Sequence, residues 1–480
     1  RDLVRSRGLG DVYKRQVMYI NRNIDGYLIS WADREEHKPV LLRGARQVGK
    51  SSAVRHLGEH FEIFVEINFE KQPVYKALFK TDLDVNRIVS QISAISGTEI
   101  IVGKTLLFLD EIQECPEAIM ALRFFKEDMP MLHVVAAGSL LEFALRELPT
   151  FGVGRIHSMF MYPMNFDEFL LANGEQLLIK ERNSASLHNP LSEPLHNKLV
   201  DLLRVYMIVG GMPESVKKWI STHDYLQCQE VQDDILITYE DDFPKYKTKI
   251  DPQLLRMVLR SVAMQATTKF SYSQVIGDYK TYDIKKAVEL LSLAGIIIPV
   301  CRSEANGLPL GIGVDMSFRK MLLLDCGLLL RLLNMTLGDI RHISEHILIS
   351  CASELVNKGP MAEQIAGTEM LSYKSPNLRH ELFYWTRKAK NSQAEVDFVD
   401  VYDRQPLPIE IKAGVQGGMK SLWQFMREKK LTLAVRCSLE HLGMILYKDV
   451  NSGDMERKVV ICPLYAMATM RNLLEGVHSV

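Results

Sequence analysis

The chain has 480 residues, 47% hydrophobic and 24% charged, with 58 lysines and arginines against 59 aspartates and glutamates. That length exceeds one compact core, so roughly two to four domains are expected, and the ordinary globular composition excludes a disordered chain. A net charge of −1 excludes a uniformly basic nucleic-acid coat but leaves room for a local basic groove.

Seven cysteines, at 115, 228, 301, 326, 351, 437 and 462, fall in no CxxC spacing. Neither a zinc ribbon nor a redox pair is indicated, and buried thiols in a reducing compartment are the expectation. No apolar run reaches the ~18 residues that a membrane helix requires. A cytoplasmic location without membrane contact is therefore expected.

The opening RDLVRSRGLGDVYKRQ reads as an extension outside the fold. Its end, DVYKRQ, resembles a translated transposon adapter left by DNA library preparation, and Met18 reads as the natural start. Residues 1–17 are therefore set apart, with a flexible basic arm as the alternative.

From Ile20 to Trp31 the apolar residues Ile20, Ile24, Leu28 and Trp31 recur at helical spacing. PVLLRG, Pro39 to Gly44, reads as a buried parallel strand, and SSAVRHLGEHF as the helix after it. IFVEINFE (from Ile63), TLLFLDEIQ (from Thr105) and HVVAAGS (from His133) read as three further strands. Strands alternating with helices imply an α/β parallel sheet with right-handed crossovers.

GARQVGKS, Gly44 to Ser51, matches G-x-x-x-x-G-K-[ST] at every fixed position. Between a strand and a helix, such a loop lets backbone N–H groups curl around phosphates at a helix N-terminus. Gly44, Ala45, Arg46, Gln47, Val48, Gly49, Lys50, Ser51 and Ser52 are the expected ATP contacts. Lys50 would reach the β/γ-phosphates, and the Ser51 hydroxyl would hold Mg²⁺. Asp110, at the carboxyl end of the third strand, would position Mg²⁺ through water, and Glu111 would orient or deprotonate the attacking water. Ser139 ends the fourth strand, either as a polar sensor of the γ-phosphate or as a cap on the next helix. Arg155, in FGVGRI, is the candidate to stabilise transition-state charge, in cis or from a neighbouring subunit.

Beyond Arg155 the pattern is mostly amphipathic helix to Ile250, interrupted by VGGMPES (Val209 to Ser215). Residues 252–333 read as helix, turn, helix and a strand-like hairpin at Asn306-Gly307, a pattern resembling a winged helix-turn-helix. There Lys269, Lys280, Lys285 and Lys286 could meet DNA phosphates or lie on a solvated face. Further on, ELFYWTR, AEVDFVDVY and PLPIEIK read as strands. Asp397, then Glu410 and Lys412 two apart on one strand face, with Glu363 on an upstream helix, resemble the PD-(D/E)xK nuclease signature. In that chemistry the carboxylates bind a divalent metal, and the metal and lysine activate water against a phosphodiester. An E-x-K on any half-buried strand looks the same.

RGARQVGKS, INFE, TLLFLDEIQECPEA, AAGSLL, YPMNFDEFL, GGMPE and AEVDF…IEIK together resemble a bacterial and archaeal family of AAA-type ATPases that carry the domain of unknown function 4143. The resemblance covers nearly the whole chain from Met18. It implies an AAA_14-like P-loop NTPase core with a parallel sheet, a helical lid, a winged helix-turn-helix and a C-terminal α/β restriction-endonuclease-like domain. On this chain those regions fall at 18–155, 156–250, 251–340 and 341–480. It also places the phosphate loop on Gly44 to Ser51, the acidic pair on Asp110 and Glu111, and the late metal pattern on Glu363, Asp397, Glu410 and Lys412. Ser51 departs from the threonine of most relatives but keeps the needed hydroxyl. The expected partners are ATP with Mg²⁺, DNA, and another protein or a second copy. The expected function is an ATPase that couples nucleotide state to a nuclease-like domain acting on DNA. The alternative is a signalling or regulatory ATPase whose C-terminal domain is a catalytically inactive interaction module.

Overall fold

A computed structural model describes residues 19–148, 154–246, 250–333, 360–388, 394–412, 418–449 and 455–479. Residues 1–17 and the expected boundary at 340/341 lie outside these. The first sheet is built from β1 (Val40–Arg43), β2 (Ile63–Asn68), β3 (Thr105–Asp110), β4 (His133–Ala137) and β5 (His157–Phe160) in the order β2-β3-β4-β1-β5. All its pairings are parallel. Both faces are covered, which is why TLLFLD and HVVAA are buried throughout. Successive residues alternate between the two cores: Leu106, Phe108 and Val135 enter one, while Leu107, Leu109 and Val134 enter the other. Each such side chain contributes about 1.5–3 kcal/mol of burial.

The β5 strand has only four residues, and no periodicity announces it. It pairs with β1 beyond Arg155, so the core sheet extends past the expected boundary at 155. Helices then dominate, at Phe166–Ala172, Gln176–Ser184, Glu193–Val209, Pro213–Thr222 and Tyr225–Asp242. VGGMPES is the break between two of them, and its glycines permit close packing. A Cβ on Gly211 would lie 2.0 Å from the Met164 carbonyl oxygen, and the Gly211 N–H donates to buried Asp325 at 2.6 Å.

Helices Pro252–Met264 and Thr281–Leu293 precede an antiparallel pair, β6 (Ile297–Arg302) and β7 (Asp315–Leu323). This pair does not stand alone. It joins β8 (Leu382–Thr386), β9 (Glu395–Tyr402), β10 (Gln405–Ile411), β11 (Leu433–Ser438), β12 (Gly443–Asp449) and β13 (Met455–Pro463) in one sheet, ordered β12-β13-β11-β10-β9-β8-β6-β7. The parallel contact between β6 and β8 thus ties residues 300–302 to residues 382–384. One apolar cluster runs from a face of the first sheet through the helices to the second sheet. The segment 360–376 that precedes β8 also touches the first half directly: the Phe160 N–H donates to the Pro376 carbonyl at 2.8 Å, and the Phe166 N–H donates to buried Glu369 on helix Pro360–Ser372 at 3.1 Å.

Candidate functional site

The phosphate loop closes at the carboxyl end of β1. Gly44 (φ 147°) and Gly49 (φ 100°) hold conformations that L-residues resist. A Cβ on Gly44 would sit 2.2 Å from the Met161 carbonyl oxygen. Gln47 also takes a left-handed φ of 64°, turning the loop into helix Lys50–Gly58, which carries Ser51 and Ser52. Neighbouring elements brace the loop. Arg22 donates to the Val48 carbonyl at 2.8 Å and pairs with Glu168 at 3.0 Å. Arg46 pairs with Asp242 at 2.6 Å, while Tyr239 donates to the Arg46 carbonyl at 2.8 Å. Ala45 packs against Gly295, from the turn before β6.

Lys50 is buried, and its ammonium donates to the Gly44 and Ala45 carbonyls at 2.9 and 2.7 Å. Burial lowers its pKa to about 8, against the pull of Glu111 and Asp110. Ser51 Oγ donates to Asp110 Oδ1 at 2.9 Å, and Asn68 Nδ2 donates to Asp110 Oδ2 at 3.0 Å. Burial raises the Asp110 pKa, and those two hydrogen bonds oppose it. Glu111 follows with a left-handed φ of 49°, which turns its side chain out of the strand. Its Oε2 accepts from Gln113 Nε2 at 2.7 Å, from Ser139 Oγ at 3.1 Å and from the Ser139 N–H at 3.2 Å. Ser139 therefore bonds the carboxylate, and no side chain caps helix Leu141–Glu147.

Arg155 does not join this group. Since β5 runs parallel to β1, with Val40 opposite His157 and Arg43 opposite Phe160, Arg155 precedes the amino end of β5. That is roughly 13 Å along the strand direction from the edge where Gly44 lies. Its guanidinium pairs with Glu127 at 3.2 Å. As a cis finger for this site it is corrected: it stands at the wrong end of the sheet. Sequence spacing missed Asn68 as well, although parallel register places it opposite Asp110.

The late acidic residues do converge. Lys320, on β7 and 1% exposed, places its ammonium 2.7 Å from Glu363, 2.6 Å from Glu395 and 3.8 Å from Asp397. Asp397 Oδ2 accepts the Ile411 N–H at 2.8 Å, and Lys412 pairs with Glu410 at 2.6 Å. Burial and the nearby Asp397 raise the pKa of Glu363 while Lys320 lowers it. Burial and Asp397 likewise raise that of Glu410, against Lys412. Among the described residues no three acidic, histidine or cysteine side chains are arranged to hold a metal ion. Lys320 lies on a strand far from the D…E-x-K run, so spacing could not reveal it. Glu395, two before Asp397, could have been found from strand alternation.

The fold and the loop define a P-loop ATPase of the AAA type, an ATP-hydrolysing enzyme by class. Residues 36–170 match the AAA domain model AAA_14, and residues 358–466 match the domain of unknown function DUF4143. The chain thus carries an AAA_14 ATPase domain followed by a DUF4143 domain, and between them residues 200–338 match another domain of unknown function, DUF8612. Comparison with curated proteins gave no match.

Among solved structures, the Walker-type ATPase PABY2304 of Pyrococcus abyssi is similar over 65% of this chain and 96% of its own, at 14% identity and TM-score 0.41. The Aeropyrum pernix Orc1 protein, in complex with DNA, is similar over 71% and 94%, at 13% identity and TM-score 0.29. Cdc6p from Pyrobaculum aerophilum is similar over 60% and 90%, at 11% identity and TM-score 0.25. At these TM-scores the likenesses are partial and carry no function. Among the described residues no helix is long and apolar enough to cross a membrane.

Proposed function

We propose that this protein is a regulatory ATPase whose nucleotide state is transmitted to a C-terminal half that binds without cutting. Gly44 to Ser52 hold the ATP phosphates, with Lys50 leaving the loop carbonyls for the β/γ-phosphates. The Ser51–Asp110 pair fits Mg²⁺, since a hydroxyl and a buried carboxylate supply hard oxygen donors. Glu111 orients the attacking water and takes up its proton. The water oxygen bonds to the γ-phosphorus, the β–γ bridging P–O bond breaks, and its electron pair leaves with ADP. Ser139 holds the Glu111 carboxylate in place. The helical lid follows the nucleotide through the Arg46–Asp242 contact.

One observation carries the non-cutting reading: the Lys320 ammonium sits among Glu363, Glu395 and Asp397, where nuclease chemistry calls for a divalent cation. It neutralises the cluster from within. The winged helix-turn-helix expected over residues 251–340 would then serve protein contact. Two of its four lysines are already engaged, Lys269 over the Phe318 ring and Lys285 over the Tyr272 ring.

The convergence of Glu363, Asp397, Glu410 and Lys412 favours a second reading, a restriction-endonuclease-like domain that cuts DNA once a metal displaces Lys320. Purified protein incubated with DNA, ATP and Mg²⁺ or Mn²⁺ separates the two. The non-cutting reading expects intact DNA throughout. Cleavage that Asp397→Ala abolishes would replace it with the nuclease reading.

A further inference from the structure

A cavity of about 170 Å³ adjoins the start of the phosphate loop. One wall is Gly44, Ala45 and Ser139, and the facing wall comes from the turn before β6 and from Arg379 and His380. Ser139 is bonded to Glu111, the carboxylate proposed to orient water, so the cavity flanks the terminal-phosphate end of the site. Apolar residues including Leu141, Ile297 and Leu371 line the rest, which strengthens any charge interaction inside.

Three basic side chains line this space, and two are committed. Arg43 is held by the Glu142 carboxylate, Nε to Oε1 at 2.5 Å, and stacks over Phe160. His380 hydrogen-bonds the Ser375 carbonyl at 3.1 Å, and burial lowers its pKa, leaving it neutral. Arg379 is exposed, and among the described residues its guanidinium has no hydrogen bond or ion pair. Its segment is nonetheless fixed. The Pro376 carbonyl accepts the Phe160 N–H at 2.8 Å, and Asn377 Oδ1 contacts His157 Nε2 at 2.9 Å. Both anchors lie on β5, the strand that ends beside Gly44.

We infer that Arg379 is the arginine that meets the γ-phosphate of ATP, supplied in cis by the C-terminal half of the same chain. It stabilises the charge that gathers on the γ-phosphoryl oxygens as the bridging bond breaks, the role that Arg155 is placed too far away to fill in cis. It also gives the C-terminal half a direct contact that ATP makes and ADP cannot. This assignment rests on the nucleotide-site reading above.

The test uses the full chain, with ATP turnover measured alongside calorimetric titration of ADP and of ATP, the latter in a Glu111→Gln background. Arg379→Ala should lower kcat by about 100-fold or more. It should leave ADP affinity unchanged and erase the preference for ATP over ADP. Arg379→Lys should restore part of both. An Arg379→Ala variant with wild-type turnover and an unaltered ATP-to-ADP affinity ratio overturns the assignment. So does one that loses ADP binding in parallel, since that would mark a general effect on the cavity. If the wild-type chain binds neither nucleotide, the nucleotide-site reading itself fails.

Discussion

Replacing Lys320 with methionine isolates the contribution of the buried cation. The side chain is 1% exposed, and its ammonium lies within 2.7 Å of both Glu363 and Glu395. Methionine keeps most of the volume and the apolar stem but leaves the carboxylates without a counter-ion. Breaking a buried pair by removing one partner costs about 3–5 kcal/mol. At 1.36 kcal/mol per decade, opening of the surrounding elements should become about 10²- to 10⁴-fold more frequent. Hydrogen exchange read by mass spectrometry is the assay. Peptides from β7, β9 and helix Pro360–Ser372 should exchange faster by that factor, while β1 to β4 stay unchanged. The double variant Lys320→Met/Glu363→Gln should recover part of the protection, because one of the orphaned charges is gone. Unchanged exchange in the single variant would refute the view that Lys320 holds the cluster together.

Lys50→Ala should abolish ATP binding, measured by titration, and undiminished binding would remove the loop from the site. Glu111→Gln should retain ATP while turnover stops, and normal hydrolysis would end its proposed role in water activation. Glu369 supplies a pH prediction: burial raises its pKa to about 8 from an unfolded value of 4.5. A raised acid favours the folded state while it is protonated. Its contribution is therefore full below about pH 4.5 and lost as pH rises through about 8. Chemical denaturation from pH 5 to 9 should show the wild type losing a few kcal/mol relative to Glu369→Gln across that window. Parallel pH profiles for the two proteins would contradict this.

The nucleotide site was legible in the sequence because it is encoded locally. Eight consecutive residues fix the phosphate loop, and a six-residue apolar strand delivers Asp110 and Glu111 to its carboxyl end. Short apolar runs bounded by helical segments likewise exposed the first four core strands, since a strand covered on both faces is apolar at nearly every position. The residues around them belong to distant segments, and no spacing encodes their approach. Lys320 and Glu363 meet across 43 positions, and β5 receives the segment that carries Arg379 from across more than 200 positions. The merging of the β6–β7 pair with the later strands is of the same kind. Edge pairing of strands is chosen by how whole faces pack, and a four-residue strand such as β5 carries too little pattern to announce itself. The sequence by itself determined that Gly44 to Ser51 form the phosphate loop of a P-loop ATPase domain. Only the tertiary structure decided which cations surround that site and the acidic cluster, because long-range packing sets where a charged side chain ends.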